Sequence, residues 1–282
     1  MFARLASSFT ALGLVAGAAH ADFTLVDDFN DGNLIGWNLG VGAPPVGSIV
    51  STGGRMRATT FQPFGALPCF AGLTASWNAS YPNPESMANG IYRIQFRPQN
   101  GATGGAFFIR DDAAFSVEGY GFVVDVVNQS LSIRVPDATA CLFPALAETP
   151  FPISVGVDYQ IEVRADGTEL SMKVWPVGGS EPVAPQVSAS DDSYGSGGIF
   201  VSTFLTPGVG GSINGSWDNF QYSPLPAPIV GDLDENGVVD AADLAILLGA
   251  WGVGCDGCIE DIDGSGTIDG ADLALLLGAW TS

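Results

Sequence analysis

Two acidic stretches near the end of the sequence have the residue types and spacing of calcium-binding loops. Loop 1 starts at Asp232 and loop 2 at Asp261. In each, oxygen-bearing side chains fall at positions 1, 3, 5, 9 and 12, and position 7 can offer its backbone carbonyl. Glycine at position 6 permits a sharp turn. Residues spaced in this way converge on a hard cation, which takes roughly six to eight oxygen ligands.

The predicted ligands therefore form two matching sets. They are Asp232, Asp234, Asn236, Val238 (through its carbonyl), Asp240 and Asp243 in loop 1, and Asp261, Asp263, Ser265, Thr267 (through its carbonyl), Asp269 and Asp272 in loop 2. Without an ion, the carboxylates of each loop would repel one another and oppose folding, whereas a bound divalent cation reverses that effect. The sequence predicts two Ca²⁺ ions, with weaker binding in loop 2 because serine replaces a stronger ligand at position 5.

An apolar run with helical spacing follows each loop. Its members, at i, i+3, i+4 and i+7, are Leu244, Leu247, Leu248 and Trp251 after loop 1, and Leu273, Leu276, Leu277 and Trp280 after loop 2. Such spacing places the side chains on one face of a helix. We expect these two stripes to form the core between the helices. Asp243 and Asp272 should lie at the helix starts, where negative charge suits the helix dipole.

This duplicated loop-then-helix pattern, with Asp at position 12, resembles a type I dockerin over residues 231–282. The resemblance implies a small all-α module with two EF-hand-like loops and a cohesin-like protein partner. The sequence departs from the family at the residues that often recognise cohesin, since Ala241-Ala242 and Gly270-Ala271 occupy positions 10 and 11. Gly249 and Gly278 lie where basic residues are expected. Calcium binding is thus better supported than cohesin binding.

Residues 22–223 show the pattern of an all-β domain. Alternating or apolar runs occur at 91–97, 121–127, 130–135, 159–164, 169–175 and 198–204. In "YQIEVR" the apolar residues Tyr159, Ile161 and Val163 alternate with polar ones, which is typical of a half-buried strand. Asp166-Gly167 lies between two runs and predicts a hairpin. Many strands separated by turns indicate a sandwich or jelly roll.

The opening "FTLVDDFNDGNLIGW" (23–37) and the closing "SINGSWDNFQYS" (212–223) resemble concanavalin A-like jelly rolls of the laminin-G and lectin type. The segment 165–182 also resembles a late hairpin of such domains. The resemblance implies that the first and last strands pair and that the ligand is a carbohydrate. The predicted fold class is therefore mainly β: a concanavalin A-like jelly-roll sandwich followed by a small all-α dockerin.

Three further segments complete the predicted organisation. Residues 1–21 have an apolar stretch and a small-residue cleavage site at Ala19-His20-Ala21, which indicates a signal peptide and a secreted or cell-surface protein. The proline-rich stretch 224–230 is predicted to be a linker between the sandwich (22–223) and the dockerin-like domain (231–282). No later stretch is apolar enough to suggest membrane insertion.

Charge and histidine content narrow the possible functions. The formal net charge is −21, which argues against nucleic acid as a partner. His20 is the only histidine, and cleavage after Ala21 would remove it. Ser-His-Asp catalysis, Cys-His catalysis and histidine-ligated zinc are therefore not expected. The four cysteines favour disulfides in an exported protein. The spacing of Cys255 and Cys258 alone could also suggest zinc or redox chemistry, but no second such pair occurs, so a small bridge is expected there. Cys69-Cys141 is the remaining pair.

Catalysis is not expected from the pattern of carboxylates. Glycoside hydrolysis needs two carboxyl groups about 5–10 Å apart, and none of the glutamates of the sandwich stands in the Glu-x-Asp-x-x-Glu pattern of jelly-roll glucanases. Carboxylates from different strands could still converge, so a polysaccharide-degrading glycoside hydrolase remains the first alternative to a carbohydrate-binding protein. A structural surface protein without a sugar ligand is the second.

Several residues of the sandwich are candidates for sugar or metal binding. Aromatic rings could stack on sugars, next to the polar row formed by Arg93, Gln95 and Arg97, although tryptophans in sandwiches are mostly core residues. Asp28 and Asp218 could share one further calcium ion. The aromatic candidates are Trp37, Trp77, Tyr81, Tyr120 and Trp175.

Overall fold

The chain divides into two units, which are described separately. One comprises Ala21–Leu225 and the other contains Pro226–Ser282, so the boundary falls inside the predicted linker. The computed structural model describes residues 23–40, 47–65, 71–77, 88–111, 119–135, 143–225, 229–234, 236–254 and 257–281. The predicted signal peptide, with His20, lies outside these residues.

The described residues of the first unit form two antiparallel sheets. The strands are β1 (Thr24–Asp27), β2 (Trp37–Gly40), β3 (Gly47–Ser51), β4 (Met56–Thr60), β5 (Ala71–Trp77), β6 (Gly90–Pro98), β7 (Thr103–Asp111), β8 (Tyr120–Asp125), β9 (Ser130–Arg134), β10 (Ala145–Pro150), β11 (Tyr159–Asp166), β12 (Glu169–Pro176), β13 (Val187–Ser190), β14 (Gly198–Leu205) and β15 (Asn214–Ser223). The eight-stranded sheet has the order β13-β12-β11-β6-β15-β4-β3, with β1 also paired to β15. The seven-stranded sheet has the order β10-β9-β8-β7-β14-β5-β2.

The main core lies between the sheets and follows the alternation in the sequence. In β11, Tyr159, Ile161 and Val163 are buried while Gln160 and Glu162 remain partly accessible. All six predicted strand segments coincide with strands (β6, β8, β9, β11, β12 and β14), and the predicted hairpin joins β11 to β12. These predictions are confirmed.

The opening and closing segments pair as predicted. Thr24 is the partner of Tyr222, so β1 runs antiparallel to β15 near the two ends of this unit. Between the sheets, the indole Nε1 of Trp217 donates a hydrogen bond of 2.9 Å to Thr203 Oγ1. Because Trp217 is fully buried, this bond satisfies a polar group that would otherwise be costly to bury.

The seven-stranded sheet is also apolar on its outer face. Every described position of β8 and β14 is buried, and Phe108 of β7 is 5% exposed. Glycines make room for the rings on this face: a Cβ atom at Gly121 would lie 2.6 Å from the ring of Phe108. One at Gly104 would lie 2.5 Å from the ring of Phe204. The rings therefore lean over the backbone of neighbouring strands.

Because the hydroxyl of Tyr120 is buried, we expect the sandwich to lose stability at alkaline pH. Burial raises the pKa of Tyr120 from 10.0 to about 12, and the hydroxyl donates to Asp191 Oδ1 at 2.8 Å. A group whose pKa is higher in the folded than in the unfolded protein stabilises the fold at pH values below its unfolded-state pKa. This contribution is lost as the pH rises through its folded-state pKa. We expect the free energy of unfolding to fall between pH 10.0 and about 12. Denaturant titrations across this range should show a shallower fall for Tyr120→Phe, and an identical slope would contradict the prediction.

The second unit contains two short helices among its described residues. They are α1 (Ala241–Gly249) and α2 (Gly270–Gly278). Its small core consists of Leu233, Val239, Leu247, Ile268 and Leu276. No helix in the described part of the chain is long and apolar enough to cross a membrane.

The predicted Leu/Trp stripes are only partly in this core, which corrects the sequence interpretation. Leu247 and Leu276 are buried, and Leu244 and Leu273 pack against them. By contrast, Leu248 is 50% and Trp251 45% exposed; Leu277 and Trp280 repeat this exposure. The helices end at Gly249 and Gly278, so each tryptophan lies beyond the helix whose face it was expected to share.

Candidate functional site

Each acidic loop leads into its helix through the same set of hydrogen bonds. Asp240 caps α1, because its carboxylate accepts from Ala242 N at 2.7 Å. Asp243 completes a capping box by accepting from Asp240 N at 2.8 Å. Asp269 and Asp272 repeat these contacts in α2. The prediction that Asp243 and Asp272 lie in the first helical turn is confirmed.

Three carboxylates converge in each loop. In loop 1, one oxygen each from Asp232, Asp234 and Asp243 lie within 4.8 Å of one another. The three equivalent carboxylates of loop 2, from Asp261, Asp263 and Asp272, do the same. These are positions 1, 3 and 12, and each group could hold a metal ion.

Backbone turns hold the carboxylates in place. Asp232 Oδ2 accepts from Gly237 N at 2.8 Å, and Asp261 Oδ2 accepts from Gly266 N at the same distance. These glycines have φ values of 90° and 85°, a conformation that favours glycine. Glycine at position 6 thus has the role expected from the sequence.

The remaining predicted ligands are not part of these carboxylate groups. Asp240 and Asp269 act as helix caps, a geometry compatible with position 9 reaching an ion through water. The side-chain oxygen of Asn236 accepts from Val238 N at 2.9 Å. Ser265 Oγ donates to the carbonyl of Thr267 at 3.3 Å. Their roles as ligands stay predictions.

The position-12 carboxylates are held in the charged form. Asp243 is fully buried, which disfavours its charge, but backbone N–H groups of Asp240, Asp234 and Leu233 outweigh this effect and lower its pKa from 3.8. Donors from Asp269 and Asp263 likewise lower the pKa of Asp272. An ionised, preoriented carboxylate at this position suits a cation ligand.

Each loop is also bonded to the chain that leaves the other helix. Val239 N donates to Thr281 Oγ1 at 2.8 Å, and Thr281 N donates back to the Val239 carbonyl at 3.0 Å. In loop 2, Ile268 N donates to the Val253 carbonyl at 3.2 Å, and Gly252 N donates to the Ile268 carbonyl at 2.9 Å. Order in one loop therefore supports order in the other.

The aromatic sugar-binding candidates of the sandwich are buried where the structure describes their side chains. Trp37 is 7%, Tyr120 0% and Trp175 8% exposed, so they do not present open faces for stacking. The side chain of Trp77 and all of Tyr81 lie outside the described residues. The interpretation of these described rings as stacking platforms is wrong, because all three are buried; the Arg93 guanidinium lies 5.4 Å from the ring centroid of Trp175.

A network of ion pairs covers the outer face of the eight-stranded sheet. Arg55 contacts Asp218 Oδ2 through Nη1 and Asp158 Oδ1 through Nη2, both at 2.9 Å. Arg97 also pairs with Asp158. Burial raises the pKa of Asp218 although Arg55 opposes this effect. Asp218 is thus ion-paired with Arg55. Among the described side chains, neither Asp218 nor Asp28 belongs to a group that could hold a metal ion.

A carboxylate of β11 and one from the connection between β12 and β13 converge on this face. Arg93 Nη2 contacts Glu162 Oε2 at 2.5 Å and Glu181 Oε2 at 2.6 Å. Lys173 contacts the same two glutamates. Burial alone would raise the pKa of Glu181, but the contacts with Lys173 and Arg93 lower it. A glycosidase acid needs a raised pKa, so this pair is better suited to a structural or binding role.

Sequence reasoning missed a pocket on the outer face of the seven-stranded sheet. It has a volume of about 190 Å³. The described residues that line it are Gly72, Thr74, Ala106, Phe108, Val123, Arg134, Phe143, Phe200, Ser202 and Phe204. The signal was present as continuous apolar runs such as "GIFVSTF", since a strand covered on both faces loses its alternation.

Of the four cysteines, the structure describes Cys258. It is not a free thiol. Cys69, Cys141 and Cys255 lie outside the described residues, so both predicted pairings stay predictions.

Solved structures that are similar to this chain include three different proteins. The carbohydrate-binding module CBM66 from Bacillus subtilis is 16% identical, with a TM-score of 0.46, over 68% of this chain and 97% of its own. The Ca²⁺-bound exoplasmic/lumenal domain of VIP36 is 12% identical, with a TM-score of 0.49, over 72% and 90%. Lectin I-B4 from Griffonia simplicifolia, in a metal-free form, is 10% identical, with a TM-score of 0.46, over 72% and 99%.

No protein-family model matches the chain, and no curated protein matches it. These three structures are similar to the chain at TM-scores of 0.46–0.49 and identities of 10–16%. Similarity at this level identifies neither a family nor a ligand. The sandwich architecture rests on the strand pairing described above.

Proposed function

We propose that residues 231–282 form a calcium-dependent, dockerin-like attachment module for a secreted protein whose sandwich is a non-catalytic binding domain. The observation that carries this proposal is the repetition of one carboxylate geometry: positions 1, 3 and 12 converge within 4.8 Å in both loops. An acidic surface without function would not need the same turn, cap and spacing twice.

The chemistry of the donors fits Ca²⁺. All the predicted ligands offer oxygen, and calcium prefers oxygen ligands in flexible geometry. The unit has 11 acidic residues and no lysine or arginine between Asp232 and Ser282, so no cationic side chain of its own can neutralise the loops. Two divalent ions would remove much of this repulsion.

Attachment would use the outer surface of this module. A cohesin-like protein is the partner implied by the dockerin resemblance, although Ala241-Ala242 and Gly270-Ala271 differ from the expected recognition residues. The half-exposed Leu248 and Trp251, repeated by Leu277 and Trp280, offer apolar contact area instead.

Calcium titration of the chelator-treated full chain tests this function. Isothermal titration calorimetry should detect two Ca²⁺ ions per chain, and Mg²⁺ should bind more weakly because it demands near-octahedral geometry. A stoichiometry of zero would reject the metal function, and equal affinity for Mg²⁺ would reject its calcium selectivity.

Carbohydrate binding by the sandwich is the second candidate function. The observation that favours it is the polar row on β6, where Gln95 Nε2 donates to Gln160 Oε1 at 3.4 Å between Arg93 and Arg97. Planar amide and guanidinium groups in a row can bond to successive sugar hydroxyls. The carbohydrate-binding and lectin descriptions of the similar structures agree with this proposal but do not carry it.

A glycan array probed with the full chain tests sugar binding. We expect binding that Gln95→Ala weakens about tenfold or more through lost hydrogen bonds, whereas Ser171→Ala, a control on β12 of the same sheet, should leave it unchanged. A blank array would instead favour a structural surface protein. Release of reducing sugar from a polysaccharide would favour the glycoside hydrolase.

A further inference from the structure

The pocket on the outer face of the seven-stranded sheet has the chemistry of a ligand site. Its floor is built from three rings: Phe108 and Phe200 stack with centroids 4.1 Å apart and planes 7° from parallel, and Phe204 leans over Gly104. Phe143 stands edge-on to Phe108 at 6.3 Å. Five neighbouring strands contribute to this lining, so a rigid sheet fixes its shape.

The described lining residues carry few polar side-chain groups, and most of their hydrogen-bonding capacity is used within the protein. Arg134 donates from Nε to Ser132 Oγ at 2.8 Å, from Nη1 to the Phe143 carbonyl at 2.8 Å and from Nη2 to Glu148 Oε2 at 3.1 Å. Among the described residues of the lining, the hydroxyls of Thr74 and Ser202 are the other polar side-chain groups. The ion pair with Glu148 also neutralises the charge of Arg134, so a bound anion would receive little electrostatic stabilisation in this pocket.

We propose that this pocket binds a small neutral molecule that carries one aromatic or similarly compact apolar ring and a single hydroxyl. A cavity of roughly 150 Å³ with apolar walls holds benzene and excludes water, and this pocket measures about 190 Å³. The additional volume suits one small substituent. Thr74 or Ser202 would accept or donate its hydrogen bond.

The same lining disfavours a sugar in this pocket. A monosaccharide presents hydroxyls around the whole ring, and each one buried without a partner costs about 1–3 kcal/mol. Water is held poorly for a related reason, since a buried water needs about two to four polar partners. This inference concerns another sheet from the polar row on β6, and it does not depend on the calcium module.

Benzyl alcohol is a suitable probe because it has one ring and one hydroxyl, and methyl α-glucoside is the polar comparator of similar size. Calorimetry on the full chain should show saturable binding of benzyl alcohol with a negative heat-capacity change, as expected when apolar surface is buried. Thr74→Phe should weaken this binding about tenfold or more by filling the pocket. Thr59→Phe is the matched control, because Thr59 is also half-buried but lies on β4 of the other sheet.

Nuclear Overhauser contacts in the unmutated chain provide a test that does not depend on the variants. The ring protons of benzyl alcohol should contact Phe108 and Phe200 in phenylalanine-labelled protein. Stronger binding of methyl α-glucoside, contacts confined to other rings, or equal weakening by both threonine substitutions would each overturn the proposal. So would the absence of any saturable binding.

Discussion

Asp243→Asn is expected to abolish calcium binding in loop 1 while loop 2 retains its ion. The carboxylate of Asp243 is buried, converges with those of Asp232 and Asp234, and is held ionised by backbone donors. Asparagine keeps the size but removes one negative charge and one strong ligand. We expect the dissociation constant of loop 1 to rise by about 100-fold or more, roughly 3 kcal/mol. Calorimetry should then count one tight ion per chain in place of two.

The reciprocal substitution and a charge-matched control make this result specific. Asp272→Asn should remove the loop 2 ion, and Glu260→Gln should leave the count at two although it also removes one negative charge. The retained site should be weakened moderately in both loop variants because Thr281 and Val253 bond each helix exit to the opposite loop. Two tight ions in both Asp243→Asn and Asp272→Asn would contradict the assignment of position 12 as a ligand.

The loops were predictable because their chemistry is local in sequence. Positions 1, 3 and 12 come together through one turn and one helix cap, so spacing alone places Asp232, Asp234 and Asp243. The cross-bonds of Val239 and Ile268 were not predictable in this way. These hydrogen bonds join residues that are far apart in the chain. Most of them are between backbone groups, so the types of the side chains do not indicate them.

The strands of the sandwich could be predicted from the sequence, but the exposure and the contacts of side chains on its surfaces could not. Alternation in "YQIEVR" places Tyr159, Ile161 and Val163 in the core, as the structure has them. Whether a tryptophan ring is exposed to solvent depends on the residues that pack against it in the fold, and both Trp37 and Trp175 are buried. The convergence of Glu162 and Glu181 on Arg93 likewise needs the pairing of β6 with β11, which no local pattern supplies.

The positions of Trp251 and Trp280, just beyond the helices, show the limit of periodicity as a predictor. A spacing of i+7 predicts a shared face only while the helix continues. Because α1 ends at Gly249, Trp251 leaves the helix face and is half exposed, and the same holds for Trp280 after Gly278. The glycines near both helix ends were visible in the sequence and could have limited the prediction.

Removing calcium is expected to unfold the second unit and to leave the sandwich folded. Helices α1 and α2 have nine residues each, and isolated helices shorter than about 12–15 residues are marginal in water. In the described part of this unit, five buried apolar residues form the core that the helices share. We expect this core to be too small to offset the repulsion among 11 acidic residues with no basic ones. The sandwich has an extensive core of its own between two sheets.

Backbone amide spectra of the full chain with and without chelator measure both units at once. Amides of residues 229–281 should collapse into the range of unfolded chains, while those of β6, β11 and β14 should keep their positions. Calcium should restore the spectrum. Thr281→Val removes the hydroxyl that bonds Val239, so it should raise the calcium concentration needed for refolding, whereas Thr168→Val in the turn of the β11–β12 hairpin should not. Helices that persist in chelator would show that packing alone stabilises this unit, and the ions would then be dispensable for its fold.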